Sequence, residues 1–147
     1  MGFQYRLEKV LTIKEQEKQT VASEYEKARE RFQTKAMNLY EQLKQKEEFE
    51  KQRQFLLKKG IVIRDLQQNQ FFLRKMEEKI EETEELVNDA REQMYLKQQM
   101  LVYKNMELKK YESMKEKEKM KHIKKVKKKE SSMMDEISIQ QYMNRKK

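Results

Sequence analysis

From Val62 to Tyr111 the chain advances by alternating steps of four and three through Val62, Leu66, Asn69, Leu73, Met76, Ile80, Thr83, Val87, Ala90, Met94, Lys97, Leu101, Lys104, Leu108 and Tyr111. Eleven of these fifteen residues are apolar, and the four exceptions (Asn69, Thr83, Lys97, Lys104) fall in one of the two alternating classes, which leaves the other class apolar throughout. A period of 3.5 residues held this long keeps one seam turned toward a partner helix and predicts a left-handed coiled coil. The first half repeats the theme with Leu7, Leu11, Val21, Tyr25, Ala28, Phe32, Ala36, Leu39 and Leu43. Lys14 and Lys18 fill the seam between Leu11 and Val21. The run Phe32–Ala36–Leu39 slips by one place, the mark of a local change of supercoil phase. The pattern thins from Lys44 to Gln54, where Phe49 stands nearly alone, and returns at Phe55, Leu56 and Leu57.

Gly60 supplies the break between the two halves. Lysines in the last turn followed by glycine at the left-handed cap form a helix stop. Two amphipathic helices joined by a few residues become neighbours only by folding back antiparallel. The predicted fold is therefore all-α, an extended two-helix antiparallel coiled coil. Helix one covers about residues 4–57, the turn 58–61, helix two 62–129, and a short tail 130–147 within one coiled-coil rod. If Leu57 faces Val62, partners add to about 119: Ile80 meets Leu39, Val87 meets Phe32, Met94 meets Tyr25, Leu108 meets Leu11, Tyr111 meets Leu7, and Ala90 lies beside Ala28. Polar places coincide as well, Leu101 with Lys18 and Lys104 with Lys14 or Glu15. Agreement of two independently patterned halves in strong and weak places supports the hairpin. At 1.5 Å per residue the paired part is roughly 75–80 Å long. Past Tyr111 no N-terminal residue remains to pair, and Ser131, Ser132 and Asp135 are expected to end helix two before Ile137, Ile139, Tyr142 and Met143.

Composition removes most other classes. Charged residues are 41% of the chain, mean hydropathy is −1.21 and proline is absent, so a closed globular core and a proline-rich disordered chain are both poor fits. No apolar run approaches the ~18 residues of a membrane span, and the opening does not read as a signal peptide. Without cysteine there is neither a disulfide nor a thiolate metal site, which fits a cytosolic protein. The expectation is a soluble helical protein.

Charge is concentrated. Lys115 to Lys129 holds nine lysines against Glu116 and Glu118, so this segment carries most of the formal net charge of +9. A solvated helix end complementing the macrodipole is one reading, and a carboxylate-rich protein surface is the preferred one. Nucleic acid or anionic lipid is a third. The segment has no arginine for bidentate contacts and no aromatic for base stacking, which makes nucleic acid the weaker fit. Catalysis, a cofactor, a metal site and a small-molecule substrate find no support. The one histidine, His122, lies inside the lysine run and reads as a plain exposed position, and Asp65, Asp89 and Asp135 are far apart. No phosphate-cradling glycine loop, HExxH or nucleophile elbow occurs. Phe72 sits off the main seam beside Leu73, and Phe71 lies on the flank. They read as flank packing onto helix one or as an exposed docking patch.

The string FQYRLEKVLTIKEQEKQTVASEYEKA (Phe3–Ala28) resembles the opening of the flagellar export protein FliJ family, whose members begin with an aromatic–Arg–Leu–Glu–Lys–Val–Leu pattern. NQFFLRKMEEKI (Asn69–Ile80) is similar to that family's segment just past the turn, and MMDEISIQQYM (Met133–Met143) to the tail of its Gram-positive members. The resemblance implies a non-enzymatic stalk, similar in shape to the stalk subunit of rotary F-type ATPases. Its terminal end would enter the pore of the hexameric flagellar export ATPase and promote ring assembly. Carried onto this chain, that contact would involve Leu7, Leu11, Lys124, Lys125, Lys127 and Lys128. Early helix two would contact the cytoplasmic domain of the export gate through Phe72, Met76, Lys79 and Thr83, the last two departing from the small and histidine types of some relatives. Export chaperones would be further partners, and the protein would act in the cytoplasm, peripherally at the membrane beneath the flagellum. Two other readings stay open: the equivalent stalk of an injectisome-type secretion system, and a stand-alone basic scaffold or nucleic-acid-binding coiled coil.

Overall fold

The computed structural model describes residues 2 and 4–145 as two helices and no strand, α1 (Glu8–Lys59) and α2 (Ile63–Arg145), packed against each other as a hairpin. Phe3 of the opening string and Lys146 and Lys147 of the tail lie outside the described residues. No proline interrupts either helix, and both are dominated by Lys, Glu, Gln, Leu and Met, which lose little rotamer freedom in a helix. Glu8 stands in the first turn of α1, with Lys58 and Lys59 in its last turn, each sign complementing the helix dipole. Gly60 has φ of +93°, a left-handed conformation that an L side chain adopts only under strain.

Helix α2 does not stop at Lys129; it runs on to Arg145 through Ser131, Ser132 and Asp135. These residues are weak breakers, costing at most about 0.7 kcal/mol each in a helix interior, and neither glycine nor proline stands beside them. Helix α1 begins at Glu8 rather than near residue 4, after a turn at Arg6 and Leu7.

Internal packing divides the chain into two units, Met1–Gln19 with Tyr103–Lys147, and Thr20–Val102. In the first unit the core is Tyr5, Leu11 and Leu108. Leu11 and Leu108 are partners in the expected register. Along the cross-helix pairs Glu8–Lys115, Lys14–Glu107 and Glu17–Lys104 the α1 numbers rise as the α2 numbers fall, which makes the two segments antiparallel. The last two pairs each add to 121, within two residues of the sequence register. Tyr5 lies ahead of the first helical turn and donates its hydroxyl to the Tyr111 carbonyl at 3.5 Å. Chain before Leu7 therefore does pair with α2, and the exposed part of α2 begins later than Tyr111.

In the second unit Val21, Ile80, Val87 and Ala90 are buried, and Thr83 is buried among them. The Thr83 hydroxyl donates to the Lys79 carbonyl one turn back, 2.9 Å away. From Phe32 onward the half-buried places on α1 are Phe32, Lys35, Ala36, Leu39, Gln42, Lys46, Phe49 and Arg53. The four–three rhythm thus passes through Lys35 without a slip, Ala36 serving as a small flank residue. Gln42 occupies the seam place, while Leu43, 45% exposed, stands outside it. A lysine or arginine holds such a place by laying its methylene stem along the seam with its head in water. Toward the turn the seam becomes polar: Lys46 pairs with Glu77 at 3.5 Å, while Gln42 Oε1 and Arg53 Nε are buried without a partner.

Candidate interaction surfaces

Polar seam places of the first unit form a charge cluster. Lys14 donates to Glu107 at 3.4 Å and lies 3.5 Å from Glu17, and Lys104 lies 3.1 Å from Glu17 and 3.8 Å from Glu107. The lysines that meet in this register are thus separated by two carboxylates, one from each helix, and Glu15 stays exposed. The hydrogen bond with Glu107 raises the Lys14 pKa, and the bond from Lys104 lowers that of Glu17. Burial pushes the Glu107 carboxyl up, but hydrogen bonds with Tyr103 and Lys14 and the charges of Lys14 and Lys104 outweigh it and leave it lowered. Burial, and then the charge of Glu118, raise the Tyr5 phenol. The cluster is a register device: a slip that put Glu15 and Lys18 in the places of Lys14 and Glu17 would set them against Glu107 and Lys104, and the opposite slip would leave Glu107 and Lys104 facing Ile13 and Gln16.

The four residues assigned to gate contact do not share one outward stripe. Phe72 is 57% exposed and meets Phe71 edge to face, ring centroids 6.3 Å apart, with Lys75 Nζ 5.5 Å from the Phe71 ring. Both phenylalanines face solvent, so flank packing onto α1 is not their role. Lys79 is exposed as well. Met76 is half-buried at a seam place, and Thr83 is only 6% exposed. The available patch is Phe71, Phe72, Lys75 and Lys79.

The residues assigned to ATPase contact divide in the same way. Leu11 is 4% exposed and belongs to the interior of the first unit, and Leu7 is half-buried. Lys124, Lys125, Lys127 and Lys128 are exposed on α2, where every residue from Ile123 to Arg145 is exposed. Lys115, by contrast, pairs with Glu8 at 3.0 Å. His122 is half-buried, not the plain exposed position its neighbours suggested. Sequence reading missed Tyr5, because a residue ahead of the first helical turn falls outside any helical period. The register also set Leu57 facing Val62 at the turn end of the seam, but they are 45% and 68% exposed, with Phe55, Leu56 and Ile63 exposed beside them.

Among the described residues no group of His, Cys, Asp and Glu could hold a metal ion, and no helix is long and apolar enough to cross a membrane. The profile of the family described as "Flagellar FliJ protein" matches residues 3–147. The chain belongs to the FliJ family. A FliJ protein of Bacillus subtilis (strain 168), named "Flagellar FliJ protein", is 36% identical over 143 residues, covering 97% of this chain and 97% of the relative. No solved structure matches the chain. FliJ membership confirms the resemblance carried by the opening string, the segment past the turn and the tail. It makes the chain a component of bacterial flagellum biogenesis and protein export, which sets aside the injectisome stalk and the stand-alone scaffold.

Proposed function

We propose that this FliJ-family chain is the stalk of the flagellar export ATPase, coupling the hexameric ring to the export gate without catalysis of its own. The observation that carries this reading is the α2 segment Ile123–Arg145, every residue of which is exposed and which contains the densest part of the lysine run. Lysines are compact, hydrated point charges, so this segment suits electrostatic steering onto an acidic ring surface more than tight geometric recognition. Buried Leu11 then acts by holding the first unit together rather than by touching the ring. The gate contact is made by Phe72 and Lys79, with Met76 and Thr83 setting the position of α2 from inside the seam. Export chaperones are further partners on the exposed faces. The chain works in the cytoplasm and associates peripherally with the membrane at the flagellar base.

The test is stimulation of a purified flagellar export ATPase by the full chain. Replacing Lys124, Lys125, Lys127 and Lys128 together with glutamine is expected to slow association and flatten its dependence on salt, because screening limits such charges to about 8 Å at physiological ionic strength. Equal stimulation by the variant at every salt concentration contradicts the assignment.

A further inference from the structure

We propose that the turn end of the hairpin is a membrane-docking tip, which seats the Gly60–Ile63 turn in the interface of a bilayer rich in anionic phospholipid. This deepens the peripheral membrane placement given above and rests on it. Turns between helices are ordinarily built from Gly, Asn, Asp and Ser. Here the glycine is followed by three β-branched apolar residues, Ile61, Val62 and Ile63, the last two 68% and 74% exposed. The Val62 carbonyl accepts the first helical bonds of α2, from the amides of Asp65 at 3.0 Å and Leu66 at 3.1 Å. Val62 thus holds the N-cap place, where a side-chain oxygen is favoured and valine offers none. Local rules broken without a packing gain point to a function.

The shape of the apolar surface decides the occupant. Phe55, Leu56 and Leu57 are consecutive and 58%, 44% and 45% exposed. At 100° per residue they span about 200° of the helix circumference. A groove on a folded partner covers one stripe of a helix; a fluid interface closes around the whole tip. The charge agrees. Between Lys51 and Arg64 there is no acidic residue, and Lys58, Lys59 and Arg64 are exposed as a basic collar at the turn, with Lys51 paired to Glu47 at 3.7 Å and Arg53 half-buried in the seam behind them. Clusters of this kind are drawn to anionic headgroups. Lys59 folds back so that its ammonium stands 4.6 Å from the Phe55 ring centroid, one turn behind the apex. That is the snorkelling arrangement of an interfacial lysine, and it leaves the apex apolar. Phe55 to Gly60 rises about 7–8 Å, comparable with the ~5–10 Å depth of interfacial segments.

The chain has no tryptophan, so V62W introduces a single reporter at the tip and M120W one in the lysine run. Each full-length variant is mixed with vesicles of phosphatidylcholine alone or with added phosphatidylglycerol. Position 62 is expected to shift to the blue and to be quenched by acyl-brominated lipid only when phosphatidylglycerol is present, and position 120 to be unquenched. V62S combined with I63S supplies the missing cap oxygen, so helicity is expected to persist while vesicle co-sedimentation weakens roughly tenfold or more. Absence of a shift at position 62, even with co-sedimentation persisting through the lysines, overturns the proposal. So does a blue shift that appears without lipid and grows with protein concentration, since a second copy then covers the tip. The vesicle assay contains no ATPase: on the stalk reading the V62S/I63S chain still stimulates the enzyme, so failure of the tip and failure of the stalk are separable.

Discussion

Leu108 is 5% exposed and Leu11, its partner in the sequence register, 4% exposed, in a unit whose buried apolar residues among those described are these two and Tyr5. Leu108→Ala removes three carbon groups from water-excluded space, worth about 0.8 kcal/mol each, or about 2–2.5 kcal/mol. A globular core adds a cavity contribution that brings such changes to as much as about 5 kcal/mol. Two helices with open flanks can close on the gap, so the expected loss stays near the transfer value, about 2–3 kcal/mol. Met106, on the same stretch of α2, is 65% exposed, and Met106→Ala is expected to change stability by less than about 0.5 kcal/mol. Urea unfolding followed by far-UV circular dichroism measures both. Hydrogen exchange locates the loss: amides of residues 7–18 and 104–115 should open faster in the Leu108→Ala chain, with those around Val21 and Val87 little changed. If Leu108→Ala and Met106→Ala have equal effects, Leu108 is not a seam residue and the register is wrong.

Three other outcomes test separate parts of the structure. The Glu17 and Glu107 carboxyls titrate below their ordinary 4.5, so the stability they contribute is present above that value and lost as pH falls through the lowered folded values; Lys14 titrates above its ordinary 10.5, so its contribution is full below 10.5 and lost as pH rises through the raised value. A denaturation series across pH should show both limbs, and an acid limb unchanged in E17Q/E107Q contradicts the cluster. Thr83→Val removes a hydroxyl bonded only to its own helix and should leave gate binding intact while holding or slightly raising the melting temperature, whereas Phe72→Ala should weaken gate binding at unchanged helicity; the reverse pattern in a pull-down would return the gate contact to the seam. Gly60→Ala meets no atom within 4 Å, so its cost is the positive φ alone, about 1–2 kcal/mol, and a neutral result in thermal unfolding would mean that the turn relaxes to negative φ.

The seam of α2 was readable in advance because its period is strict: every place from Leu66 to Tyr111 is buried or half-buried. Helix α1 was read less well. Its seam continues through Gln42, Lys46 and Arg53, and a hydrophobicity pattern does not register long polar side chains that bury their stems, so it chose Leu43 instead of Gln42. The end of α2 was misplaced because serine and aspartate mark boundaries statistically, while a helix needs glycine, proline or a competing contact to stop. Among the site residues, Lys124, Lys125, Lys127, Lys128, Phe72 and Lys79 are outward as their residue types suggested. Thr83 and Leu11 are inward, and the four–three rhythm had already put Thr83 in the seam. The resemblance assigned these two a contact role, but their places in the period assign them to folding. Tyr5 was invisible to periodicity because it lies ahead of the first helical turn, and Val62, counted as the first place of the rhythm, is 68% exposed because it stands in the turn ahead of α2.

Cross-linking measures the central claim, that the lysine-rich α2 segment meets the export ATPase ring, most directly. The chain contains no cysteine, so K125C and K51C each carry one attachment point, in different units. With a short heterobifunctional reagent and the assembled hexamer, K125C is expected to give cross-links to the ATPase subunit, mapped by mass spectrometry to acidic segments lining the pore, and K51C none. Cross-links from K51C at equal yield, or none from K125C while the wild-type chain still stimulates the enzyme, would contradict the account.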